Sequence, residues 1–78
     1  MRYYRITFSK FNTPNAMCWN FSYDWYEMIY IAQNAAKARE HGIKVAAEAG
    51  IRYCCTFNLT KAEGMARINE IATIRKMA

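Results

Sequence analysis

From Arg2 to Ser9 apolar and polar positions alternate. Tyr4, Ile6 and Phe8 fall on one side of an extended chain, and Tyr3, Arg5, Thr7 and Ser9 on the other. β-Branched and aromatic residues dominate, so the segment predicts a strand. Asn12-Thr13-Pro14-Asn15 has turn chemistry, since proline presets φ and asparagine tolerates unusual backbone angles. Alternation resumes from Ala16 to Tyr23, with Met17, Trp19, Phe21 and Tyr23 on one side and Cys18, Asn20 and Ser22 on the other. Two alternating runs around a turn predict a β-hairpin.

After Ser22 the spacing reads as helical. Asp24 is placed to cap a helix, with Glu27 three residues on in capping-box position. Trp25, Met28, Ile29, Ala32, Ala35 and Ala36 fall on one face, and the expected end is at His41-Gly42, where glycine suits a left-handed C-terminal position. Ile43–Ala49 reads as a short second helix, because alanine is depleted in strands; a short strand at Ile43–Val45 is the competing reading. Ile51–Leu59 predicts a third strand, with Ile51, Tyr53, Cys55, Phe57 and Leu59 inward and Arg52, Cys54, Thr56 and Asn58 outward. Thr60-Lys61-Ala62-Glu63 is a capping box opening a C-terminal helix with Met65, Ile68, Ile71 and Ala72 on its buried face. On that helix Glu63 and Arg67 form an i,i+4 pair.

The predicted fold class is α+β: a three-stranded sheet, made of an N-terminal β-hairpin plus one later strand, with two main helices on one face, in the order β-β-α-(α)-β-α. A right-handed crossover would return the third strand parallel to a hairpin strand. The chain of 78 residues reads as a single domain with one modest core. Ile6, Phe8, Trp19, Phe21 and Trp25 are the expected core aromatic and aliphatic residues.

Composition narrows the class. Hydrophobic residues are 54% of the chain and charged ones 22%, which is globular and not disordered. No apolar run approaches a membrane span, and Met1–Arg5 leads into an alternating segment instead of a leader, so the expected compartment is cytoplasmic. Three cysteines, two of them adjacent, do not read as a disulfide framework. A net charge of +5 favours anionic partners, but the basic residues are scattered.

The search for chemistry excludes more than it finds. Cys18, Cys54, Cys55 and His41 lack the paired spacing of a zinc site, and adjacent strand cysteines are expected to point to opposite faces. His41 is the only histidine, and its expected place in the last turn of a helix has a plain electrostatic use. The acids fall in caps or on solvated faces with no forced acid/base pair, and the three glycines have no phosphate-binding spacing. The expectation is a non-enzymatic protein with no metal and no cofactor.

What remains is aromatic surplus: ten of the twelve aromatic residues precede position 31. On the expected helix Tyr26 and Tyr30 fall with Gln33 and Lys37 on a mainly polar face. Tyrosine is enriched at binding hot spots, so these four are the candidate partner-binding residues. The expected function is a small protein-binding module that works by occlusion. Small, motif-free domains of this kind look like phage or mobile-element inhibitors that block a host macromolecular complex, anti-CRISPR proteins among them; that likeness is one of size and character. The alternative is single-stranded nucleic-acid binding through a basic, partly aromatic sheet face, with Tyr3, Arg5 and Arg52, joined by Lys10 and Lys44, as the residues that would carry it. A third reading is a homo-oligomer paired through Ile74 and Met77, which lie off the main stripe of the last helix.

Overall fold

The structure is a computed structural model that describes residues 1–12 and 22–77. Two long strands, β1 (Arg2–Asn12) and β2 (Ser22–Ala32), form an antiparallel hairpin in continuous register from Arg2↔Ala32 to Asn12↔Ser22. A helix, α1 (Ala35–Ala49), leads to β3 (Arg52–Asn58), which pairs antiparallel with β1. A short helix, α2 (Lys61–Ala66), and a 3₁₀ turn (Ile68–Glu70) precede β4 (Arg75–Lys76), antiparallel to β2. The sheet therefore has four strands in the order β3-β1-β2-β4, where the sequence predicts three. β3 does run in the same direction as β2, but β1 lies between them, so no parallel ladder forms.

The largest departure from the sequence reading is at Asp24–Ala32, which is strand and not helix. Met28 and Tyr30 face one side, Ile29 and Ile31 the other, and Met28 and Ile29 are both buried. A strand covered on both faces loses its apolar–polar alternation, and its apolar positions then also satisfy a helical stripe. Aromatic and β-branched content (Tyr23, Trp25, Tyr26, Ile29, Tyr30, Ile31) favours the strand. The predicted strand over Ala16–Tyr23 lies outside the described residues except for Ser22 and Tyr23, which open β2. Trp19 and Phe21, expected in the core, lie outside them too.

α1 starts where the sequence offers another cap. Asn34 is extended (φ −157°), and its side-chain oxygen accepts from the Lys37 N–H at 2.9 Å. The helix runs through Gly42 and ends at Gly50, whose φ of +69° is the left-handed position assigned to Gly42 from sequence. Ile43–Ala49 is helical as expected, but as part of this one helix. Gly42 serves packing instead. With Ala38 and Ala46 it makes a buried stripe at i, i+4 and i+8. A Cβ at Gly42 would come within 2.8 Å of Ile6 Cγ2, so the missing side chain lets the helix sit directly on the sheet. The core lies between this stripe and Tyr4, Ile6, Phe8, Met28 and Ala32.

The two helices lie on opposite faces, where one face was expected to carry both. A Cβ at Gly64 of α2 would run into the root of the Tyr3 ring, and Tyr3 alternates with the core residue Tyr4. The Thr60–Glu63 capping box is present with both hydrogen bonds, at 3.1 and 3.0 Å. The helix it opens is short: Met65 and Ile68, expected on its buried face, are exposed, and Ile71 and Ala72 follow the 3₁₀ turn. Ala72 has a positive φ (59°), unusual for a residue with a Cβ, and the chain there turns along the β2 edge. Its N–H donates to the Ile29 carbonyl at 2.7 Å, and Met77 N–H reaches the Trp25 carbonyl at 2.8 Å. Among the described residues, no helix is long and apolar enough to cross a membrane.

Candidate functional site

β3 pairs with β1 only from Tyr4 to Ser9, and β4 meets β2 only at Tyr26 and Glu27. Among the described residues, Lys10–Asn12 and Ser22–Asp24 therefore form a two-stranded ladder with each other and with no further strand, an arm beyond the body of the sheet. A two-stranded hairpin alone is marginal in water, and cross-strand side-chain pairs stabilise it. On the face away from α1, Phe11 stands opposite Tyr23, with ring centroids 5.3 Å apart at 60°. Tyr23 leans on Trp25 two residues along, at 6.1 Å and 37°. Such ring pairs contribute about 0.5–1.5 kcal/mol beyond their buried area. Yet Phe11, Tyr23 and Trp25 remain 49, 46 and 49% exposed. On the arm's other side Asp24 accepts from the Asn12 amide and lies 3.6 Å from Lys76 Nζ.

The same face of the sheet body is polar at its centre. Arg5 Nε donates to Glu27 Oε2 at 2.8 Å, and Arg67 also binds Glu27 and reaches Glu70 at 2.8 Å. Arg75 closes the chain of charges on Glu70. Burial alone would push the Glu27 carboxyl up, but hydrogen bonds from Arg67 and Arg5, with their charges, hold it below the usual carboxylate value. The expected Glu63–Arg67 pair gives way to this network; Glu63 is occupied by the α2 cap, whose Thr60 backbone and side-chain hydrogen bonds lower its pKa. The network ties α2 and the C-terminal segment to β1 and β2.

The residues nominated from sequence are dispersed. Tyr26 and Tyr30 lie on β2, not on a helix, and both pack against the core on the α1 face. Four residue steps along the strand set them about 13 Å apart. Tyr30 stacks on His41 at 4.0 Å with rings nearly parallel; His41 is mid-helix, not in the last turn. Gln33 is exposed between β2 and α1, and Lys37 is exposed in the first turn of α1, 3.9 Å from Glu40. Lys37, Glu40, His41 and Lys44 border a depression of about 410 Å³. Tyr30 and Lys37 are thus near neighbours through His41, while Tyr26 stands apart.

Of the nucleic-acid set, Tyr3 lies under α2, and Arg5 is held by Glu27 and sits 5.6 Å over the Phe57 ring. Lys10 alternates onto the α1 side of the sheet, and Lys44 is on α1. Arg52 is exposed opposite Ser9, which in turn faces Trp25. Arg5 and Arg52 therefore share a face with the aromatic row, but the five residues form no single basic surface. Ile74, nominated for subunit pairing, packs against the core, and Met77 Sδ lies 3.8 Å from Arg5 Nη2.

Phe11, Tyr23 and Trp25 are the residues the sequence reading missed. By spacing Trp25 falls in a helical core stripe, and Phe11 falls in no predicted element. The available signal was the i,i+2 spacing of Tyr23 and Trp25 with Phe11 across the turn. A second depression, about 570 Å³, is lined by Met1, Arg2, Tyr3, Asn58, Leu59 and Lys61. Among the described residues no group of three or more metal-ligating side chains converges. Compared with protein-family models, with curated proteins and with solved structures, the chain shows no significant match.

Proposed function

We propose that the chain is a non-enzymatic module that binds a protein partner and acts by occluding its surface, with Phe11, Tyr23 and Trp25 as the contact row. The observation that carries this reading is the half-exposed aromatic row that runs from Trp25, abreast of the end of the third strand, out to Tyr23 and Phe11 on the arm. Large aromatic rings held rigid by one another lose little conformational freedom on binding and supply most of the area in hot spots. The finer form of the reading is a phage or mobile-element inhibitor of a host complex, which rests on size and character.

A second reading keeps one specific support. Arg52, Ser9 and Trp25 lie abreast across three strands, with Tyr23 next along. Exposed rings beside a cation suit bases stacking on a single strand. The consumed Arg5 and the dispersed Lys10 and Lys44 weigh against it.

The test is capture from cell lysate, with and without nuclease, by the wild-type chain and by a Tyr23→Ala/Trp25→Ala variant whose melting is measured in parallel. A stoichiometric protein that survives nuclease and is lost by the folded variant supports occlusion. Recovery of nucleic acid, with affinity falling steeply with salt, would move the function to the second reading. Capture unchanged in the folded variant would remove the aromatic row from the function.

A further inference from the structure

The two cysteines of β3 are adjacent, and adjacent side chains of a regular strand point to opposite faces. Here the ladder pairs Thr7 with Cys55 but Phe8 with Tyr53, so Cys54 is the extra residue of a β-bulge. Tyr53 is on the α1 side, where a Cβ at Gly42 would lie 3.2 Å from its ring. Its hydroxyl and Thr56 Oγ1 share a hydrogen bond at 2.7 Å, so residues 53 and 56 face the same way. Between them, Cys55 stands opposite Thr7, and Cys54 Sγ donates to Ser9 Oγ at 3.3 Å. Thr7 and Ser9 both belong to the face away from α1. The bulge therefore brings two neighbouring thiols to one face, against the expectation from sequence. Cys54 is partly exposed, Cys55 is exposed, and neither is in a disulfide.

We infer that Cys54 and Cys55 form a dithiol site for trivalent arsenicals. Soft thiophilic centres prefer sulfur ligands. Two thiols on consecutive Cα atoms, about 3.8 Å apart, supply the pair that an organoarsenical takes beside its own carbon. Zinc would need two further donors, and no third His, Cys, Asp or Glu joins the pair among the described residues. The step is a condensation. The As–O bond of an arsenoxide breaks, two As–S bonds form, and both thiol protons leave with the oxygen as water. Arsenic stays trivalent, so no oxidant or reductant takes part. This site does not depend on the aromatic row or its partner.

The experiment is titration of the reduced full chain with phenylarsine oxide, read by intact mass and by melting temperature. The wild type and Cys18→Ser are expected to gain one phenylarsine oxide less one water, resistant to a monothiol and removed by a dithiol. Cys54→Ser and Cys55→Ser should each lose at least about tenfold in affinity, roughly 1.4 kcal/mol. Because the two thiols share a face in the native fold, binding should raise the melting temperature. Uptake that requires Cys18, uptake retained by either single variant, or a melting temperature that falls with arsenical would overturn the assignment. The last result would mean that the thiols meet only when the strand opens. No partner is read in this experiment, so its failure leaves the docking proposal standing.

Discussion

The two faces of the sheet are closed by different physics. On one, α1 lays Ala38, Gly42 and Ala46 on Ile6, Phe8 and Met28, a contact of apolar atoms with a small-residue stripe where the backbones approach. On the other, α2 rests on Tyr3 through Gly64, and a chain of charges from Arg5 through Glu27, Arg67 and Glu70 to Arg75 holds the C-terminal segment. The first face gains from burial at every pH and salt. The second depends on ionised partners and on one small helix, and from Ser9 outward it carries the half-exposed rings of Phe11, Tyr23 and Trp25.

That contrast can be broken from its strong side first. Phe8→Ala empties the centre of the α1 face, where Phe8 is fully buried. The expected loss is about 3–5 kcal/mol, measured by urea unfolding; a loss below about 1 kcal/mol would place the core elsewhere. Next comes Glu27→Gln, which leaves two guanidinium groups short of their shared carboxylate. About 2–3 kcal/mol is expected, because the hydrogen bonds lost are charge-assisted and partly buried.

The pH dependence of Glu27 sharpens the same comparison. Its folded pKa is depressed, so its contribution is full above the unfolded value of about 4.3 and is lost as pH falls through the lower folded value. The gap in melting temperature between wild type and Glu27→Gln should therefore be constant near neutrality and narrow in acid below that range. A gap that widened in acid would reverse the sign of the argument.

The smallest effects separate the two glycines. Gly64→Ala drives a methyl into the root of the Tyr3 ring, which cannot swing aside. About 1–3 kcal/mol is expected from overpacking, with amide exchange rising first in Lys61–Ala66. Gly42→Ala presses on Ile6 Cγ2 less severely, at 2.8 Å, and a glycine replaced inside a long helix returns about 1 kcal/mol. Its net cost should be under about 1 kcal/mol by the same unfolding assay. If Gly42→Ala proves the costlier of the two, the α1 contact is the tighter one and the order of the faces is wrong.

Much of the α1 face was legible in the chain. Tyr4, Ile6 and Phe8 alternate cleanly because β1 has polar residues opposite them, and period two has no competitor there. The Thr60–Glu63 box was legible because a cap is local, complete within four residues. β2 was not, since Ile29 and Met28 are buried on opposite faces and their spacing fits a helix equally well. Nor does Asn34 stand out as the start of α1, because Asp24 with Glu27 offers a competing capping box ten residues earlier.

Short-range pattern in the chain was enough to give an α+β class, the first strand, a helix through Ile43–Ala49 and the capped turn after β3. Tertiary contacts were needed to make Asp24–Ala32 a strand, to turn Cys54 and Cys55 to one face through a bulge, to gather Arg5 and Arg67 on Glu27, and to set Phe11, Tyr23 and Trp25 in one row. The reason is range. Caps and alternation are settled by neighbours a few residues apart, whereas strand choice, bulges and ion-pair networks depend on partners 22, 40 or 48 positions away.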